Sequence, residues 1–159
     1  MPKMNGAGFA LLRQWEGCVL QAYDDANGKV AKPGDRVRGI LTIGYGHTGP
    51  DVVPGLVWTQ AQAEAELQRE AASFAGEIAP LIKVELTDNQ FSALVCLAYN
   101  IGVGAFGESS ALRHANSKNF VEVPASIAKW NKTTIDGVRV ESTGLKNRRA
   151  AEVALWNTA

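Results

Sequence analysis

The sequence predicts an α+β fold in which a small antiparallel sheet stands apart from a mainly helical body. Three observations carry this: a short amphipathic run at the start, a turn-rich stretch with brief β-branched pieces over 22–49, and two capping signatures that open helical stretches beyond it. With 159 residues, 46% of them hydrophobic and 20% charged, the chain is long enough for one domain of two small lobes. The expected division of the single domain 1–159 is a sheet lobe of about 17–58 and a helical lobe of about 1–16 and 59–159.

Residues 8–16 form the first expected helix, because Phe9, Leu12 and Trp15 recur at three-residue steps and Gly17 follows as a terminator. Asp24, Asp25, Asn27, Gly28, Pro33, Gly34, Asp35 and Gly39 are turn formers. They bracket the apolar piece Ile40-Leu41-Thr42-Ile43, which predicts an irregular sheet with one long loop around Ala31–Gly39. Thr59 with Gln62 reads as a capping box, and the helix it opens runs to about Ala79, where Pro80 ends or kinks it. Thr87 with Gln90 repeats the signature ahead of a segment apolar nearly all round, the expected central buried helix. Shorter helices are expected near 109–116 and 123–130, a hairpin over 132–143 around Asp136-Gly137, and a last helix over 145–157.

The net charge is zero but uneven. Residues 1–110 carry 8 Lys and Arg against 12 Asp and Glu, and residues 111–159 carry 8 against 4. A basic C-terminal part suits an anionic polymer, though no RNA-binding or zinc-finger pattern points to nucleic acid. No apolar run reaches the roughly 20 residues of a membrane span, so no membrane insertion is expected. The opening residues are too short in apolar character for a secretory signal or signal anchor. Cys18 and Cys96 lie among apolar neighbours and read as buried thiols. Two His without a ligand-spaced partner argue against a metal site, and no cofactor is expected.

Two acidic positions fit paired-carboxylate chemistry at a glycosidic bond, where one group donates a proton and the other handles the anomeric carbon. Glu16 ends the first helix beside Trp15, where the helix dipole and apolar neighbours favour the proton-carrying form. Asp25 lies in a polar turn that favours the ionised form. On spacing alone, a Glu at a helix end and an Asp in a turn are commonplace.

The ordered set Glu16-Gly17, Ala22-Tyr23-Asp24-Asp25, Gly28 and Thr42-Ile43-Gly44-Tyr45-Gly46-His47-Thr48-Gly49 resembles the phage-type lysozymes of glycoside hydrolase family 24. The likeness continues through Tyr99-Asn100-Ile101-Gly102, Gly104, Phe106, Ser109, Leu112 and Trp130 to Gly144-Leu145, Arg148-Arg149, Glu152 and Leu155-Trp156, covering nearly the whole chain.

The resemblance implies a lysozyme-like fold with an active-site cleft between the lobes. It also implies an endolysin activity that cleaves the β-1,4 bond between N-acetylmuramic acid and N-acetylglucosamine with inversion. Glu16 is then the acid, while Asp25 and Thr42 hold a water on the opposite sugar face. Thr48, Tyr99, Asn100 and Ser109 match sugar-facing positions, with packing or helix capping as the plainer use of Tyr99 and Ser109. His47 is expected to be structural, paired with a carboxylate from a nearby helix. Arg148 either holds Glu16 or makes an i,i+4 pair with Glu152.

Here Asp25 and Thr42 are separated by Ala26–Leu41, longer than in familiar members, so Asp24 and Asp35 compete for the Asp25 role. The position after Tyr23 favours Asp25. The implied partner is the peptidoglycan glycan strand. The product is expected as a monomer in the host cytoplasm until a holin releases it to the cell wall. A non-catalytic wall-binding relative and a lytic transglycosylase are the alternatives.

Overall fold

A computed structural model describes residues 2–158. Its elements follow the order α1 (Gly6–Glu16), β1 (Val19–Asp24), β2 (Lys29–Val30), β3 (Leu41–Gly44), β4 (His47–Thr48), α2 (Gln60–Ile78), α3 (Asp88–Ile101), α4 (Val103–Gly107), α5 (Ser110–Asn116), α6 (Val123–Ala128), β5 (Lys132–Ile135), β6 (Val138–Glu141) and α7 (Thr143–Trp156). The α+β plan is as expected, with the sheet strands preceding most of the helices. Two compact units are present, one of residues Leu12–Glu70 and one of the residues up to Leu11 and from Ala71 onward. The last residues of α1 and the first half of α2 thus belong with the sheet.

In the sheet unit the strand order is β2-β1-β3-β4, antiparallel throughout. Tyr23 pairs with Val30 on one side and Thr42 on the other, and Thr42 in turn pairs with Thr48. A small apolar cluster of Ala22, Ile43 and Val52, backed by Leu41, Leu56 and Trp58, lies against this sheet, and Leu12, Ala31, Tyr45, Ala63 and Leu67 are also buried in the unit. The long loop before β3 is held by polar bonds instead. Asp24 accepts from the backbone amides of Ala26 (3.0 Å), Arg38 (2.8 Å) and Gly39 (2.9 Å), and Asp35 accepts from Lys32 N (2.8 Å). Gly39 is required by close approach: a methyl group there would sit 2.1 Å from Asp25 Oδ1 and 2.7 Å from Asp24 Oδ1.

The helical unit has a conventional core. Residues Phe91 to Ala98 of α3 are all buried, among Ile78, Phe106, Leu112, Val123, Ile127 and Trp156. The Thr87–Gln90 capping box closes as read, each side chain bonding the other's backbone amide. The Thr59–Gln62 box does the same for α2 in the sheet unit. Pro80 falls in a 3-10 turn, Ala79–Leu81, that ends α2. Helix α4, with Gly104 and Gly107 among its five residues, was not expected. Asp136 and Gly137 adopt φ of 49° and 78°, the left-handed pair that a two-residue hairpin turn needs.

Neither cysteine forms a disulfide. Cys96 is buried as expected, its thiol donating to Gly8 O at 3.5 Å. Cys18 corrects the expectation: it is exposed, because it lies at the mouth of β1, where neighbouring Val19 also faces solvent. Trp156 is core, and Trp58 and Trp130 are partly buried against the apolar clusters of their units.

Candidate active site

Glu16, Asp25, Thr42, His47 and Thr48 all fall within the sheet unit. Glu16 is the final residue of α1 and is partly buried. Its carboxylate lies against the turn that joins β3 to β4, where a methyl group placed on Gly46 would sit 3.7 Å from Glu16 Oε2. Gly46 holds φ of 88°, which an L side chain rarely adopts, so glycine keeps the backbone of this turn beside the carboxylate without strain.

The long spacer between Asp25 and Thr42 closes on a single residue, Ile40. Asp25 N donates to Ile40 O (3.1 Å), and Ile40 N donates to Asp25 Oδ1 (2.6 Å). Thr42 Oγ1 donates to the same Ile40 O at 3.2 Å. Thr42 is buried and Asp25 exposed. The competitors are otherwise engaged. Asp24 is only 4% exposed and accepts from the three loop amides, which hold its carboxyl below the ordinary range; the Arg38 amide contributes most. Asp35 is exposed and caps the turn at Lys32.

His47 is buried, stacked on Trp58 at a ring separation of 5.3 Å. Its Nδ1 faces Glu70 Oε1 (2.7 Å) and Glu66 Oε1 (3.2 Å) of α2, and its Nε2 faces Asp51 Oδ2 (3.0 Å). Burial pulls the imidazole pKa down, but the bonds to Glu70 and Asp51 outweigh it and leave the pKa above its ordinary value. The ligand atoms of His47, Glu66 and Glu70 lie within 4.8 Å of one another, so among the described residues this grouping could hold a metal. With both ring nitrogens aimed at carboxylates, the geometry suits the imidazolium as the local cation. Pairing with one carboxylate from a nearby helix was expected; the second helix carboxylate and Asp51 were not.

The other candidates belong to the helical unit. Tyr99 packs on Phe74 at 4.9 Å, Ser109 caps α5 by accepting from Leu112 N (3.1 Å), and Asn100 Oδ1 accepts from Arg149 Nη2 (2.9 Å). Arg148 makes the i,i+4 pair, Nε to Glu152 Oε1 at 3.3 Å, and Arg149 reaches the same oxygen at 2.9 Å. Glu152 is fully buried between them. Sequence reasoning missed a further group in the sheet unit. Arg13 Nε donates to Glu64 Oε1 (2.7 Å), and Tyr45 Oη, 3.4 Å from Glu64 Oε2, accepts from Gln60 Nε2 (3.0 Å).

A model of the phage lysozyme family matches residues 13–152. The chain belongs to the phage lysozyme family. It is 40% identical over 156 residues to the endolysin of Bacillus phage PZA, covering 98% of this chain and 55% of that one. The chain thus spans about half the length of that relative. It is 37% identical over 152 residues to the endolysin of Acyrthosiphon pisum secondary endosymbiont phage 1, covering 96% of each. The solved muramidase domain of SpmX from Asticaccaulis excentricus matches with a TM-score of 0.87 and 31% identity, over 100% of both chains. The lysozyme-like fold follows, and the matched span contains every candidate named above.

Proposed function

We propose that the chain is an endolysin that hydrolyses the β-1,4 bond between N-acetylmuramic acid and N-acetylglucosamine in bacterial peptidoglycan, with inversion. Glu16 protonates the leaving oxygen as the glycosidic bond breaks. A water attacks the anomeric carbon from the opposite face and gives its proton to Asp25. The proton then returns to Glu16 through solvent, and both carboxyl groups are reset.

The observation that carries this reading is the convergence of Asp25 and Thr42 on the backbone of Ile40. Thr42 directs its hydroxyl proton at Ile40 O, so its lone pairs are left to accept from a water. Asp25 keeps Oδ2 for the same water while Oδ1 is anchored. Thr48, exposed and paired across the strand with Thr42, is the proposed sugar contact on this unit.

Glu16→Gln tests the proposal. Clearance of purified cell walls should fall by at least about a thousandfold, the scale on which loss of a required proton donor acts together with its positioning. A variant that clears walls at the parental rate refutes the mechanism. Mass analysis of the released fragments should find reducing muramic ends; anhydromuramic ends would make the enzyme a transglycosylase. Among the described residues no helix is long and apolar enough to cross a membrane. Release through a holin lesion belongs to the same proposal: expression should lyse cells only when a holin is co-expressed.

A further inference from the structure

Two segments meet at the Glu16 carboxylate: the last turn of α1, which carries it, and the Tyr45-Gly46 turn, whose backbone lies against it. Neither segment is fixed there by apolar packing alone. Both are tied to one side chain of α2. Arg13, one helical turn before Glu16, donates through Nε to Glu64 Oε1 at 2.7 Å, and its Nη2 reaches the same oxygen. Tyr45, next to Gly46 and buried, places its hydroxyl 3.4 Å from Glu64 Oε2. Gln60, one turn earlier on α2, donates to that hydroxyl at 3.0 Å, which leaves the phenol proton for Glu64. The Arg13 bond holds the Glu64 carboxyl below its ordinary range, so it is ionised under working conditions.

We propose that Glu64 is a positioning residue for the proton donor: through Arg13 and Tyr45 it fixes the two segments that bracket Glu16, and so sets where its carboxyl points. This rests on the reading of Glu16 as the acid. Both members of the ion pair are partly exposed, Arg13 by 38% and Glu64 by 26%, so the pair contributes little to global stability. Orientation is far more sensitive than stability, because a small misplacement of a reacting group slows the step steeply. That difference separates positioning from mere support.

The test uses the full chain and soluble, uncross-linked glycan strands of peptidoglycan, with turnover corrected for the folded fraction. Glu64→Ala should lower kcat about tenfold while KM stays within about twofold, as expected for misorientation without loss of binding surface. The unfolding midpoint should move by only about 2 °C or less, given the exposure of the pair. Glu64→Gln keeps an oxygen for Arg13 and should recover most of the lost kcat. A Glu64→Ala enzyme with parental kcat, while Glu16→Gln is inactive, overturns the positioning role and leaves the acid assignment standing. A loss that follows the folded fraction, or that is carried by KM, or that Glu64→Gln does not relieve, overturns it too. Parental turnover by Glu16→Gln instead removes the reading beneath it.

Discussion

The two units hold their shape by different physics. The helical unit buries a continuous apolar core around α3, so its order follows from water exclusion and close packing. The sheet unit buries fewer apolar residues, with Ala22, Ile43 and Val52 as the cluster against its strands, and adds side chains that capture backbone amides and a charged ring around His47. Hydrogen bonds to ionised groups are directional and pH-dependent; hydrophobic burial is neither. The unit carrying Glu16, Asp25 and Thr42 is thus the one whose geometry can be tuned by single polar contacts. The unit without them supplies the bulk of the cohesion.

The largest effect should come from opening the apolar core. Phe106 is fully buried, and Phe106→Ala should cost about 3–5 kcal/mol by denaturant unfolding, since the transfer loss and the residual cavity add. Hydrogen exchange should show α3, α5 and α6 losing protection together. A cost below about 1 kcal/mol would mean that the core around α3 is not the cohesive element the contrast requires.

A middle-sized effect separates the units by pH. Asp24 has a lowered carboxyl pKa, so its contribution is complete above the ordinary carboxylate range and is lost as pH falls through the folded value. His47 has a raised pKa, so its contribution is complete below the ordinary imidazole value and is lost as pH rises through the folded one. The groups facing His47 are Asp51, Glu66 and Glu70, and they must remain ionised for the bonds to persist. Protection of the Arg38 and Gly39 amides should therefore decline on acidification, and protection around His47 on alkalinisation, after correction for intrinsic exchange. The α3 amides should show neither trend. Asp24→Asn should remove the acid-side decline, and His47→Gln the alkaline one. Identical pH profiles in both units would erase the distinction.

The same contrast explains what could be read from the sequence. The capping boxes at Thr59 and Thr87, the Asp136-Gly137 turn and the run of buried residues in α3 are local codes, complete within a few neighbouring positions. The resemblance that points to Glu16, Asp25 and Thr42 rests on short local motifs as well, although the spacer Ala26–Leu41 interrupts them. The polar staples of the sheet unit were not. Asp24 meets amides 14 and 15 positions away, and Arg13 meets Glu64 at a separation of 51. Nothing in the local pattern distinguishes such partners from any other surface charge. Cys18 failed in the opposite way: its neighbours in the chain are apolar, but where β1 begins the chain faces solvent.

The smallest effect should come from the β5–β6 hairpin, which shares the helical unit's segment of chain without sharing its core. Its residues are exposed except for Val140, which is partly so, and Ile135 and Val138 face solvent on either side of the turn. A two-stranded ribbon with no buried face is marginal by itself. Gly137→Ala puts a Cβ on a residue with φ of 78°, although the space beside it is open, so the cost is backbone strain of about 1 kcal/mol confined to the turn. Hydrogen exchange across Lys132–Glu141 should accelerate several-fold, while the global unfolding midpoint shifts by no more than about 1–2 °C. If the midpoint instead fell as far as with Phe106→Ala, the hairpin would be part of the cooperative core. The line between packed and polar-held regions would then run somewhere other than between the two units.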